Sequence, residues 1–413
     1  MRVLVIGSGG REHAIVRALA ADPDVSELHA APGNPGIASL APTHEVSASD
    51  PADVVGLARR LGVDLVVIGP EAPLVAGVAD ALRAEGIAAF GPGAAAARIE
   101  GSKAFAKDVM AAAGVPTAEA RVATTPAEAA AALDVFGPPY VVKDDALAAG
   151  KGVVVTEDRT AALRHAASCQ RVVIEEYLDG PEVSVFALCD GSTAVPLLAA
   201  QDFKRAHDGD LGPNTGGMGA YTPLPWAPAG LVDEVMDRVV FPTITELARR
   251  GASYRGVLYV GLALTGKGVK VIEFNARFGD PETQVVLDRL ATPPAGLLHA
   301  SAVGGLAAAP ALRWHPGAAV TVVLAAEGYP DSPARGDKIT IDPSGRADGY
   351  LLHAGTALVG GDLVTAGGRV LNAVGSGPDL ASARAAAYAA AARVSFRGAW
   401  RRDDIAERAA SGE

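Results

Sequence analysis

Short, uninterrupted apolar runs alternate with amphipathic stretches through the first hundred residues. The runs Val3–Ile6, Leu28–Ala31, Leu65–Ile68 and Ala88–Phe90 predict strands, and the helical periodicity over Glu12–Ala20, Asp53–Leu61 and Leu74–Ala84 predicts helices between them. Strands that are apolar on both faces and separated by helices define βαβ units and a parallel sheet. Ser102 caps a helix running to about Ala113, which Gly114 and Pro116 end. Thr125 caps another through Phe136, followed by strands Tyr140–Lys143 and Val153–Val155, a helix near Ala161–Ala167 and a strand Val172–Glu175. Residues 182–201 and 256–275 each read as paired long strands of an antiparallel sheet. A proline- and glycine-rich loop (202–228) and a long helix (about 230–250) lie between them. From about residue 317 the pattern changes to short strands, Val320–Leu324, Leu351–Leu358 and Arg369–Val374, before one alanine-rich helix, Leu380–Arg393.

Composition narrows the function. Of 413 residues, 49% are hydrophobic and 20% charged, enough apolar material for several cores. The formal net charge is −11 with no lysine/arginine cluster, which argues against a nucleic-acid backbone as partner. A small anionic ligand is compatible, because a few cations in a cleft outweigh a distant acidic surface. The first residues, MRVLVIGSGG, read as a strand rather than a secretory segment, and no apolar run is long enough to span a membrane. Cys169 and Cys189 form no CxxC pattern and read as reduced thiols, and the eight histidines show no metal-ligand spacing. A cytoplasmic location is expected.

Four segments carry candidate chemistry. Gly7-Ser8-Gly9-Gly10-Arg11-Glu12 runs from strand to helix N-terminus, where free N–H groups favour an anion. A dinucleotide motif fails there: Glu12 stands where the third glycine belongs, and no ribose-binding acid ends the second strand. One phosphate fits better, with Asn34 and Glu71, at the ends of the second and third strands, reaching the hydroxyls of a sugar phosphate; simple turn chemistry fits about equally well. Lysine usage is more telling, because there are only eight lysines against 28 arginines. Lys143 ends a buried-looking strand, where an unpaired ammonium is costly. Lys151 lies in the turn Ala148–Gly152, whose N–H groups can wrap phosphate, while Lys107, Lys267 and Lys270 read as solvated. The strand end Glu175–Leu178 with Glu182 beyond it can meet a purine edge and ribose, although surface acids explain it equally well. In Val271–Phe278, strand alternation puts Glu273, Asn275 and Arg277 on one face and Ile272, Phe274 and Phe278 on the other. Two oxygen ligands two residues apart suit Mg²⁺, and the adjacent arginine suits a transferring phosphoryl group.

These blocks are similar to those of the phosphoribosylamine–glycine ligase family of the ATP-grasp superfamily. The resemblance rests on VLVIGSGGREHA (3–14), APGNPG (31–36), VIGPEAPLVAGV (67–78), EGSKAFAKD (100–108), LAAGKGV (147–153), VIEEYLDGPEVS (173–184), AQDFKR (200–205), GPNTGGMGAYTP (212–223), VIEFNARFGDPETQ (271–284) and HAGT (353–356). It implies an α/β fold with an N-terminal parallel-sheet domain (1–101), an ATP-grasp domain of two α+β subdomains (102–305, flap-like part about 117–180) and a small β-rich C-terminal domain (306–413). It implies ATP-dependent ligation of glycine to 5-phosphoribosylamine in purine biosynthesis, with Mg²⁺ or Mn²⁺; a monomer is expected. Lys103, Lys143, Gly150, Lys151 and Gly152 are implied to hold ATP phosphates, the Glu175 carbonyl and Leu178 N–H adenine, Glu182 ribose, and Glu273 and Asn275 the metal. Gly9, Gly10, Arg11, Asn34 and Glu71 are implied to hold phosphoribosylamine. Asp202, Asn214, Thr215, Gly216, Gly217, Arg277, Asp280 and Glu282 are implied to line the reaction centre. Two departures concern the flap: Lys143-Asp144-Asp145-Ala146 replaces the family's lysine-alanine-aspartate-glycine, and only 167–171 fills a usually longer glycine-rich insertion.

Overall fold

A computed structural model describes residues 1–146, 152–343 and 349–412. The first domain is a four-stranded parallel sheet in the order Glu27–Pro32, Arg2–Gly7, Leu65–Ile68, Ala88–Phe90. Both faces of its strands are apolar because helices cover both. Where one helix is expected over 74–84, there are two, Glu71–Val75 and Val78–Ala84, broken at Gly77 with φ 86°. The first of the two starts at Glu71, just past the end of strand Leu65–Ile68.

Helices Ala94–Gly101 and Lys103–Ala113 lead into the middle of the chain, with the Ser102 hydroxyl accepting from Phe105 N–H at 3.1 Å. The segment expected as a flap contains a four-stranded antiparallel sheet, Ala120–Ala123, Val172–Glu175, Tyr140–Asp144 and Val153–Thr156. Helices Pro126–Phe136 and Arg159–Ala167 pack on it through Leu133, Ala162, Val142 and Ile174. A second antiparallel sheet runs Ala194–Pro196, Glu182–Asp190, Arg255–Thr265, Gly268–Asn275. The two sheets are tied where Thr117 Oγ1 donates to Val271 O (2.6 Å) and Val271 N–H to Pro116 O (2.8 Å).

Strand Gly268–Asn275 does not keep strict alternation. Its register against Arg255–Thr265 shifts between Gly261 and Leu262, so Val269 and Val271 face the core before the shift, and Phe274 and Ala276 after it. Ile272 therefore does not join Phe274 in the core, contrary to the strand period. The bulge turns Glu273 and Asn275 to the side that Lys143 approaches.

The C-terminal sheet crosses the boundary expected at 305. Its order is Gln201–Asp202, Gly219–Thr222, Ala318–Ala325, Arg369–Gly377, Gly349–His353, so two strands come from the loop read as 202–228 or its edge. The strand expected over 351–358 is two, Gly349–His353 and Thr356–Val359. Helix Leu380–Ala392 covers this sheet, and both cysteines are free thiols. Among the described residues no helix is long and apolar enough to cross a membrane.

Candidate active site

The floor of the cleft between the sheets is a lysine–carboxylate cluster. Glu175, 3% exposed, accepts Lys143 Nζ at 2.8 Å and Lys107 Nζ at 3.2 Å. Lys143 also donates to Ile272 O at 3.0 Å, so one ammonium joins both sheets. The solvated reading of Lys107 is wrong: its ammonium is buried and also donates to Thr117 Oγ1 (2.9 Å) and Ala118 O (2.8 Å). Burial brings its pKa down to about 8, with Glu175 opposing the fall. Lys270 is not free either, bonding Glu176 at 2.5 Å, whereas Lys267 is exposed as expected. Lys103 donates to Ala146 O at 3.2 Å.

The expected metal ligand Glu273 lies 3.6 Å from Lys204, which also bonds Glu182 at 2.7 Å. Burial works to raise the Glu273 pKa, but Lys204, Lys143, Lys103 and Arg277 together hold it below the usual value. Lys204 carries no role in the sequence reading; only its place in the 200–205 block singles it out. Asp202 sits among Glu282, Glu182 and Glu273. Burial, helped by those acids and opposed by Lys204, pushes its pKa up to about 8. Glu282, 3% exposed, accepts Ser184 Oγ at 3.3 Å, and Ser184 is also 2.8 Å from the Tyr259 hydroxyl.

Gly150 and Lys151 lie outside the described residues. Gly152 is buried, and its carbonyl accepts Asp144 N–H at 2.7 Å. Asp145 caps helix Lys103–Ala113 from the flap side, accepting Ala104 N–H at 2.7 Å and pairing with Arg171. Among the described residues the non-glycine positions with positive φ are Asp210 and Ala406. Leu178 is half-buried just past the Glu175 strand end, and Asn275 stands opposite Tyr259.

Arg277 lies beyond the strand end and links the domains. Its Nη2 is 3.0 Å from Glu100 Oε1 and its Nε 3.3 Å from Glu71 Oε2. Glu100 was not foreseen, although it opens the 100–108 block; it also accepts Ala276 N–H at 2.7 Å. Burial raises the Glu100 pKa, whereas at Glu71 the charges of Arg277 and Arg11 outweigh burial and lower it.

The first turn is built differently from an open anion cradle. Gly9 N–H is taken by Glu12 Oε2 at 2.6 Å, the reciprocal half of a capping box. Glu12 also accepts Arg11 Nε at 2.5 Å, and Arg11 Nη1 donates to Phe278 O at 3.1 Å. Side chains at Gly7 or Gly69 would collide with Glu12, which accounts for the glycines around it. Gly10 packs under the C-terminal domain, where a Cβ would run into Asn372 Nδ2 and lie 3.0 Å from Gln284 Nε2. Asn34 caps the turn Pro35–Ala38 and donates to Ser8 O (2.8 Å) and His353 O (2.9 Å), so its amide already serves three backbone groups. Replacing Gly10 with valine is expected to displace Asn372 and raise the KM for the ligand of this turn at least tenfold, an overpacking effect of about 1–3 kcal/mol. Nucleotide affinity, read by calorimetry, is expected to stay within twofold; a fall in it would assign this turn to the nucleotide.

His13 and His353 meet across the same junction, with His353 N–H donating to His13 Nδ1 at 2.8 Å. Gly36 lies between the rings, where any side chain would strike both. Burial, then the neighbouring His353, brings the His13 pKa down to about 3. A base held neutral in the fold but protonated near 6.5 when unfolded contributes stability that is complete above 6.5. That stability is lost toward pH 3, at about 1.4 kcal/mol per pH unit. The melting temperature is expected to fall more steeply from pH 7.5 to 5 in the wild type than in His13→Gln; parallel profiles would contradict this.

The 214–217 loop and Asp280 meet near Lys204 and Arg369. Thr215 N–H and Oγ1 both donate to Lys204 O at 2.8 Å, and Gly217 N–H donates to Thr215 Oγ1 at 3.0 Å. Asp280 accepts Gln284 Nε2 at 2.8 Å and faces Arg369. Its pKa is lowered because Arg369 and Arg11 outweigh burial.

Two antiparallel sheets joined through a cluster of lysines and carboxylates, with a parallel-sheet domain reached through Arg277, define an ATP-grasp enzyme. Family models agree: phosphoribosylglycinamide synthetase N domain matches residues 1–100, its ATP-grasp (A) domain 101–283 and its C domain 319–408. Phosphoribosylamine–glycine ligase of Streptomyces coelicolor is 62% identical over 99% of this chain and all of its own. That of Rhizobium meliloti is 47% identical over the whole of both chains. The crystal structure of phosphoribosylamine–glycine ligase from Thermotoga maritima superposes with a TM-score of 0.86 at 35% identity, covering 98% of this chain and 100% of that one. A Campylobacter jejuni biotin carboxylase, 15% identical with a TM-score of 0.74 over 96% of this chain and 92% of its own, shares the fold. The chain belongs to the phosphoribosylamine–glycine ligase family.

Proposed function

We propose that this enzyme joins glycine to 5-phospho-β-D-ribosylamine in the cytoplasm, converting ATP to ADP and phosphate and yielding glycinamide ribonucleotide for purine synthesis. The glycine carboxylate attacks the γ-phosphorus and ADP leaves, giving glycyl phosphate. The amine then attacks the acyl carbon, phosphate leaves, and the nitrogen loses a proton as the amide forms. No side chain forms a covalent intermediate.

The observation that carries this reading is Arg277. It stands at the end of the strand bearing Glu273 and Asn275 and pairs with Glu71 of the first domain, 3.3 Å away. The phosphoryl-transfer end and the amine-binding end thus share one guanidinium. Lys103 and Lys143, with Gly150–Gly152, hold the phosphates; the Glu175 carbonyl and Leu178 N–H take adenine and Glu182 the ribose. Gly10, Arg11, Asn34 and Glu71 border the phosphoribosylamine, with Gly9 shaping the turn. Asp202, Asn214–Gly217, Asp280 and Glu282 surround the reacting groups.

The carboxylate of Glu273 and the amide oxygen of Asn275, two hard donors turned to one side by the bulge, fit Mg²⁺ or Mn²⁺. Such an ion commonly takes one or two protein oxygens, so nucleotide oxygens and water would complete its shell. The ion supplies charge neutralisation at the phosphates. Arg277 and Lys143 stabilise negative charge from fixed positions, without reorganisation at the moment of reaction.

The test is phosphate release with ATP and glycine, with and without phosphoribosylamine generated in place, beside a panel of other small carboxylic acids. Release that requires both substrates is expected. Release driven by another acid would assign a different ligase of the same chemistry.

A further inference from the structure

We propose that Arg369, in the C-terminal domain, is a positioning residue for this reaction, locking the loop at 215–217 onto Asp280 at the substrate end of the cleft. The inference rests on the reading above. Arg369 opens strand Arg369–Gly377, and its own carbonyl is held by Gly355 N–H at 2.9 Å. From that fixed point Nη1 donates to Gly216 O and to Asp280 O, each at 2.6 Å, and lies 3.5 Å from Gly217 O. Nη2 lies 3.3 Å from Asp280 Oδ2. Three carbonyls thus gather at Nη1 and a carboxylate at Nη2, so two separate segments are joined through both arms of one guanidinium.

The neighbouring contacts serve the same end. Gly216 N–H donates to the Tyr329 hydroxyl at 2.9 Å, so both the N–H and the carbonyl of Gly216 are held by the C-terminal domain. A Cβ on Gly216 would come within 3.0 Å of the Arg369 guanidinium carbon. Gly217 has φ +109°, and a Cβ there would lie 2.5 Å from Pro281 Cδ. The paired glycines let the loop lie flat between the arginine and the 280–281 segment. Gln284 Nε2 holds Asp280 from the opposite side at 2.8 Å.

The phosphate-holding lysines are fixed by other groups: Lys143 by Glu175 and Ile272 O, Lys103 by Ala146 O. Loss of Arg369 therefore loosens the end where the acid and amine meet and leaves the nucleotide end alone. A displacement of about 1 Å in groups that orient reactants lowers rate by about 10²-fold.

The experiment compares wild type, Arg369→Ala and Tyr329→Phe by steady-state kinetics, ATP calorimetry and thermal melting. For Arg369→Ala, kcat is expected to fall about 10²-fold and the KM for glycine or phosphoribosylamine to rise, with the ATP dissociation constant within twofold. Millimolar guanidinium is expected to restore part of the lost rate. Tyr329→Phe, which removes one hydroxyl, is expected to shift the same parameters about three- to tenfold and decides the matter if the alanine variant does not fold. Kinetics within twofold of wild type for the variants that fold, or ATP affinity falling in step with kcat, would overturn the proposal. A wild type without glycine-dependent phosphate release would instead overturn the functional reading.

Discussion

Replacing Glu273 with glutamine is expected to lower turnover by about 10²-fold or more, with the fold intact. The carboxylate is kept ionised against burial by four cations, so its charge rather than its bulk is what the site maintains. Glutamine keeps the shape and an oxygen but removes the charge that would hold a divalent ion and offset phosphoryl oxygens. Lys204, 3.6 Å away, retains Glu182 at 2.7 Å, so the substitution does not strand an ammonium. Single-turnover phosphate release across a metal titration checks this: turnover should stay depressed and the metal requirement should move to higher concentration. Turnover within twofold of wild type would remove Glu273 from the site.

Arg277→Met is expected to act on stability and turnover together. The change removes the ion-pair partner of Glu100, 8% exposed at its side chain, and one of the two cations that act on Glu71. Removing one partner from a buried pair costs about 3–5 kcal/mol, because the other charge stays desolvated. Turnover is expected to fall about 10²-fold, the typical loss on deleting a fixed charge-stabilising donor. The double variant Arg277→Met with Glu100→Gln separates the two effects: denaturant unfolding should recover most of the stability, and phosphate release should not recover. Joint recovery would make Arg277 a structural link only.

The parts of this architecture that depend on neighbouring residues were legible in the chain. Apolar strands and amphipathic helices foretold the parallel sheet, and Ser102 and Thr125 marked helix starts because a cap is a contact between residues three apart. Lys143 stood out because lysine is scarce and its strand is apolar. What stayed hidden was partner choice across the fold. Lys107 sits on an amphipathic helix like any surface lysine, and only folding brings Glu175 to it. Arg369 and Gly216 are 153 positions apart, and no local pattern links them. The bulge after Val271 broke the two-residue period that had grouped Ile272 with Phe274, yet preserved the shared face of Glu273 and Asn275. The hydrogen bonds of Asn34 that join the first turn to the C-terminal domain are likewise partnerships across the fold that no local pattern shows.

The most direct test of the central claim follows the glycine oxygens. With glycine carrying ¹⁸O at both carboxylate positions, ATP and phosphoribosylamine generated in place, phosphate is isolated and analysed by mass. Attack of the carboxylate on the γ-phosphorus makes one labelled oxygen the bridge of glycyl phosphate, and breaking the acyl bond sends that oxygen out with phosphate. One ¹⁸O per phosphate, with one retained in the amide carbonyl, is the expected result. Phosphate formed in step with product but carrying no ¹⁸O would contradict it.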